Sequence, residues 1–104
     1  MEEQGLGEQI LQVCAEVRRL ARPEKVILFN RKLTLSGKTA SFKLVVVADT
    51  ADKRRLEKEL YLAIDSPVPF DVVLYTPGEW AQLAGERGSF AAKVRRMGKV
   101  LYEA

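Results

Sequence analysis

Apolar residues recur at helical spacing near the start of the chain. Leu6, Ile10, Val13, Cys14, Val17 and Ala21 form one stripe, and Glu8, Gln9, Gln12, Glu16, Arg18 and Arg19 fill the opposite face. The pattern predicts an amphipathic helix over 6–21, with acidic residues leading and arginines closing it, as the helix dipole favours. Pro23 stops it and restricts Arg22. The period then changes. Lys25 to Asn30 is a nearly continuous apolar run, which predicts a buried strand. Ser41 to Ala48 predicts a second, alternating in its first half and fully apolar in Leu44-Val-Val-Val. The stretch between them has two readings. Leu33-Thr-Leu alternates and Ser36-Gly37-Lys38 is a turn signal, so Val26–Leu35 can pair with Thr39–Val47 as a hairpin. A short helix after Asn30 is the competing reading.

Asp49-Thr-Ala-Asp predicts a helix start capped by Asp49 or Thr50, running to about Ile64. Leu56, Leu60, Ala63 and Ile64 would face inward, with Lys53–Glu57 and Arg55–Glu59 as i,i+4 pairs outside. Ser66-Pro67 breaks the chain, and Val68 to Tyr75 predicts a third strand with one carboxylate, Asp71, in an apolar run. Thr76-Pro-Gly-Glu79 has the form of a capping box with proline at the first helical position. A short helix through Trp80 and Leu83 should end at Gly85. Another should run from about Gly88 to Met97, with Phe90, Val94 and Met97 on one side and Trp80 in the core. Gly98 closes that helix, and Lys99 to Tyr102 predicts a last short strand. The order is helix, strand, strand, helix, strand, helices, strand. It predicts one α/β (α+β) domain over 1–104, a small mixed β-sheet flanked by helices, with the N-terminal helix at about 6–21 and the core at 23–104.

Composition narrows the chemistry. The 104 residues contain no histidine, which excludes His-based triads, imidazole acid–base catalysis and His metal ligands. The single cysteine, Cys14, lies on the apolar stripe of the first helix and reads as a small buried hydrophobe. It excludes an internal disulfide and fits a reducing cytoplasm, the expected location. The first residues are acidic and lack an apolar signal core, and no apolar run approaches the ~20 residues that span a bilayer. A net charge of +3 permits a nucleic acid or an acidic protein as partner without selecting either.

With the elements placed, the chain from Pro23 onward resembles the minimal nucleotidyltransferases of the DNA polymerase beta superfamily. Pro23-Glu-Lys-Val-Ile-Leu-Phe is similar to the family's first strand and Leu44-Val-Val-Val-Ala-Asp-Thr to its second. Lys53-Arg-Arg-Leu-Glu-Lys-Glu-Leu, Pro69-Phe-Asp-Val-Val-Leu-Tyr-Thr-Pro, Gly88-Ser-Phe and Val94-Arg-Arg-Met-Gly-Lys-Val-Leu-Tyr-Glu fit the same pattern in order and spacing. The resemblance implies a site of three parts: a Gly-Ser pair opening a helix beneath a triphosphate, an Asp-x-Asp pair on the second strand, and a third carboxylate on the next. Such carboxylates hold Mg²⁺ in active relatives, because hard cations need clustered oxygen ligands.

This chain departs from that set. Asn30 and Arg31 stand at the Gly-Ser positions. Ser41 and Lys43 stand at the Asp-x-Asp positions in the register that allows a one-residue deletion, and Phe42 and Leu44 in the register that does not. Asp71 remains as a relic of the third carboxylate. It is either a former metal ligand with a present role or a partly buried carboxylate held by a cation, for which Lys43 is the natural partner. No cofactor or metal is therefore expected. Arg31, Lys32 and Lys38 are candidate anion ligands, with solvated loop cations as the plainer reading. Arg87, Lys93, Arg95, Arg96 and Lys99 form a basic set without interleaved aromatics, which ranks a protein partner above nucleic acid. The leading expectation is a catalytically degenerate nucleotidyltransferase-fold protein acting as a binding or regulatory subunit. The resemblance implies as partner a helical HEPN-type protein, as in toxin–antitoxin pairs, with a homo-oligomer as the other possibility. The alternatives are an active enzyme whose metal ligands come from elsewhere, and a nucleotide-binding module without turnover.

Overall fold

The structure, a computed structural model, describes residues 7–104. Helix α1 spans Glu8–Ala21, strand β1 Lys25–Leu33, β2 Thr39–Val47, helix α2 Lys53–Ala63, β3 Phe70–Tyr75, α3 Pro77–Leu83, α4 Phe90–Met97 and β4 Lys99–Glu103. Element order and type are those the periodicity predicts. Leu6, expected to open α1, lies outside the described residues.

The four strands form one mixed sheet in the order β3-β2-β1-β4. β1 runs antiparallel to both β2 and β4, and β2 runs parallel to β3. The parallel pair needs a crossover, which α2 supplies. Alternation along β1 and β2 divides the apolar runs between two cores. Val26, Leu28, Leu44 and Val46 meet Ile10, Val13 and Val17 of α1 and Leu60 of α2. Ile27, Phe29, Val45 and Val47 meet Trp80 of α3 and Ala91 and Val94 of α4. Helices on both faces explain why these strands read as continuous apolar runs. Each large side chain so buried contributes about 1.5–3 kcal/mol, and Ile10, Val17, Leu44 and Leu60 are fully enclosed. Cys14 is buried on the inner stripe of α1, and burial pushes its thiol pKa up, with Arg18 partly opposing.

The connection between β1 and β2 is a hairpin. No helix follows Asn30, so the competing reading is overturned. Thr34 N donates to the Lys38 carbonyl at 2.7 Å, and Gly37 closes the turn at φ 86°. A positive φ carries no steric cost for glycine, which suits Gly37 to this turn.

Several local expectations need correction. The cap of α2 is Asp52, not Asp49 or Thr50: its carboxylate accepts from Arg55 N at 3.1 Å. Thr50 is engaged in a small turn of its own with Asp52, accepting from Asp52 N at 3.2 Å. Ala63 is exposed rather than inward-facing. Lys53 pairs with Glu79 across the fold, not with Glu57, whereas Arg55–Glu59 forms as expected at 3.3 Å. Strand β3 begins at Phe70 rather than Val68, because Pro69 has no N–H to give the ladder. Phe90 and Met97 are 38% and 63% exposed. The inner stripe of α4 is Ala91, Val94 and then Gly98, whose small size lets the helix end close against β1. A Cβ at Gly98 would meet Ile27 Cγ2 at 2.5 Å and the Val94 carbonyl at 2.7 Å.

Candidate functional site

Of the candidate positions Asn30, Arg31, Ser41 and Lys43, all but Arg31 come together. Asn30, Lys32, Ser41, Lys43 and Asp71 line one cavity of about 180 Å³ at the end of the sheet where β1 leaves the core. The bend that builds it is a β-bulge. Phe29 pairs with Lys43 and Lys32 pairs with Ser41, so Asn30 and Arg31 together oppose Phe42 alone. Asn30 takes the left-handed conformation, φ 56°, which asparagine tolerates better than other non-glycine residues. The bulge splits the three candidate anion ligands. Lys32 joins the cavity, while Arg31 and Lys38 lie together in a separate depression beside Gln9 and Thr39. Arg31 Nε donates to Thr39 Oγ1 at 3.1 Å.

Of the two registers for the second strand, Ser41 and Lys43 are the pair directed to the α3–α4 side. Phe42 and Leu44 are buried in the opposite core, with Phe42 stacked on Phe70 at 5.8 Å between ring centroids. Lys43 and Asp71 are register partners on parallel strands and share a face. They do not form the expected ion pair. Among the described residues, the ion pairs are Arg19–Glu16, Lys25–Glu103, Lys53–Glu79 and Arg55–Glu59. Asp71 is exposed, not partly buried, so water solvates its charge. The Lys43 ammonium instead lies 5.6 Å from the centroid of the Phe90 ring, within cation–π range. Among the described residues, no three Asp, Glu, Cys or His side chains are grouped so as to hold a metal ion.

The basic set divides as well. Lys93 and Lys99 meet Arg31 around a groove floored by Phe29 and Met97; Arg87, Arg95 and Arg96 do not line it. Phe90 packs edge-on against Phe29 at 5.5 Å, and the Lys93 ammonium sits 6.0 Å from the Phe29 centroid. Aromatic rings thus accompany these cations after all. They come from β1 and from the first turn of α4, so no local run in the sequence shows them interleaved. The signal that was available is the Ala91-Val94-Gly98 stripe, which turns Phe90 and Met97 away from the core.

Two supporting contacts were also not foreseen. Tyr61 on α2 accepts from Val72 N at 2.7 Å, capping a donor on the edge strand β3. Burial raises the Tyr61 pKa, with the Val72 hydrogen bond partly opposing. Glu79 ties α3 to α2: Lys53 Nζ donates to both its carboxylate oxygens, at 3.0 and 2.8 Å, and Thr76 N donates at 2.9 Å. The Lys53 hydrogen bonds, then that of Thr76, hold the Glu79 carboxyl below its ordinary range.

No known protein family, curated protein or solved structure matches this chain. Among the described residues, no helix is long and apolar enough to cross a membrane.

Proposed function

We propose that this chain is a non-catalytic binding subunit built on a nucleotidyltransferase-like frame, and that it works through a protein partner. The observation that carries this reading is the register of Lys43 with Asp71 at the cavity. A metal-dependent transferase of the kind the sequence resembles needs clustered carboxylates at that place, with a cation bound between them. Here a lysine is the register partner of a single exposed carboxylate, and one carboxylate with no second acid lining the cavity is a poor Mg²⁺ ligand set. Two further features support the reading. Asn30 holds a left-handed backbone at the position of the family's glycine. The triphosphate-binding helix that would follow it is replaced by the hairpin. The cavity, about 180 Å³, is smaller than the ~300–1,000 Å³ usual for small-molecule sites, which weighs against a nucleotide at this cavity. A helical HEPN-type protein remains the partner class that the sequence resemblance implies.

Thermal unfolding tests the reading. Adding Mg²⁺, with or without nucleoside triphosphates, should leave the melting temperature unchanged, because a ligand stabilises only what binds it. A rise that disappears in Asp71→Ala would establish a metal–nucleotide site and overturn the proposal.

A further inference from the structure

We infer that the groove between α4 and the outer end of β1 is the docking site for an acidic peptide segment carrying an apolar anchor residue. This deepens the reading of the chain as a binding subunit by giving the partner's chemistry and its place. The groove exists because the strands differ in length. β4 pairs only with Lys25–Leu28, so beyond Leu28 that side of β1 has no strand partner. Leu28, Phe29, Arg31, Lys93, Met97 and Lys99 border the resulting notch. Its border thus holds three cationic residues and no carboxylate; Arg31 borders both this notch and the depression where its Nε meets Thr39. None of the three cations takes part in an ion pair among the described residues. Uncompensated like charges held around one groove repel each other, and a bound anionic chain relieves that repulsion. The groove also has an apolar component: Met97, which lines it, is 63% exposed. Exposed apolar surface with a polar rim is an arrangement that protein-binding sites use. The same charges would attract a nucleic acid. However, the ring nearest the groove floor, Phe29, is only 7% exposed and already covered edge-on by Phe90. It offers no open face for base stacking, on which single-strand binding depends. Met97 offers a flexible, polarisable surface suited to an aliphatic anchor.

The test is fluorescence anisotropy with three labelled probes: an alternating Glu/Leu peptide, its Lys/Leu counterpart, and oligo-dT. The intact chain should bind the Glu/Leu peptide, more weakly as salt is raised, and bind the other two less well. Lys93→Glu with Lys99→Glu should weaken Glu/Leu binding by at least about tenfold. Met97→Ser, at an exposed position, should weaken it without altering its salt dependence. Circular dichroism and the melting temperature confirm that the variants are folded. Tighter binding of oligo-dT than of the Glu/Leu peptide would overturn the inference. So would Glu/Leu binding that survives charge reversal, or its absence. These outcomes are separate from the metal and nucleotide tests: loss of peptide binding with no metal response leaves the non-catalytic reading standing without this groove.

Discussion

Asn30 and Lys43 carry the proposed reading of this chain as a non-catalytic subunit, and each makes a measurable demand. Asn30 sits at φ 56° in the bulge that brings Lys32 and Ser41 to one cavity. Asn30→Val should cost about 1–2 kcal/mol in urea unfolding, because a β-branched side chain is strained in the left-handed region. Asn30→Gly should stay within about 1 kcal/mol of the wild type, since glycine relieves strain but loosens the unfolded chain. Equal stability of the two variants would mean that the bulge does not hold this conformation. Lys43 and Asp71 share a face without forming an ion pair. A double-mutant cycle of Lys43→Ala with Asp71→Ala should therefore give a coupling energy within about 1 kcal/mol, as for exposed charges. A coupling of several kcal/mol would show a desolvated pair. At this scale the sequence was legible in part. Strand alternation brought Ser41, Lys43 and Asp71 to one side. It could not say where a long flexible lysine would rest, and the Phe90 ring that receives it lies far away in the sequence.

Among the elements, the link between α2 and α3 is sensitive to pH. Hydrogen bonding from Lys53 and Thr76 depresses the Glu79 pKa in the folded state. A depressed acid pKa contributes stability that is fully present above the ordinary carboxylate range and is lost as pH falls through the folded value. Glu79→Gln keeps the capping-box amide interaction but loses the charge. It should be less stable than the wild type near neutrality, with the difference shrinking as the solution is acidified. A difference that stays constant with pH would show that the Lys53–Glu79 pair contributes nothing to folding. Element types were largely legible because helical and strand periods differ sharply along this chain, and because Pro23, Thr76-Pro77 and Gly98 mark ends with a clear mechanism. The misreadings fall where local signals compete. Asp49, Thr50 and Asp52 all qualify as caps, and only the geometry shows whose oxygen reaches Arg55 N. In α4 the apolar residues Phe90, Val94 and Met97 fit a helical stripe as well as Ala91, Val94 and Gly98 do. Close contact with Ile27 and Leu28 selects the stripe with the small residues.

For the whole molecule, the mixed sheet with α1 and α2 on one face and α3 and α4 on the other leaves one end open, where β1 outruns β4. That end carries the small cavity on one side of Asn30 and the basic, apolar groove on the other. The sequence could expose that Ser41, Lys43 and Asp71 share one side with a single acid among them, since strand spacing sets their positions. It could not expose the groove, which depends on unequal strand lengths and on residues from three elements. The central claim is that this frame binds and does not transfer. Incubating the purified chain with Mg²⁺ or Mn²⁺ and labelled nucleoside triphosphates tests it most directly, with the chain itself, RNA and any co-purified partner scored as acceptors. No label should be transferred to any of them. Transfer that vanishes in Asp71→Ala would contradict the account, showing that the single carboxylate still serves a working site.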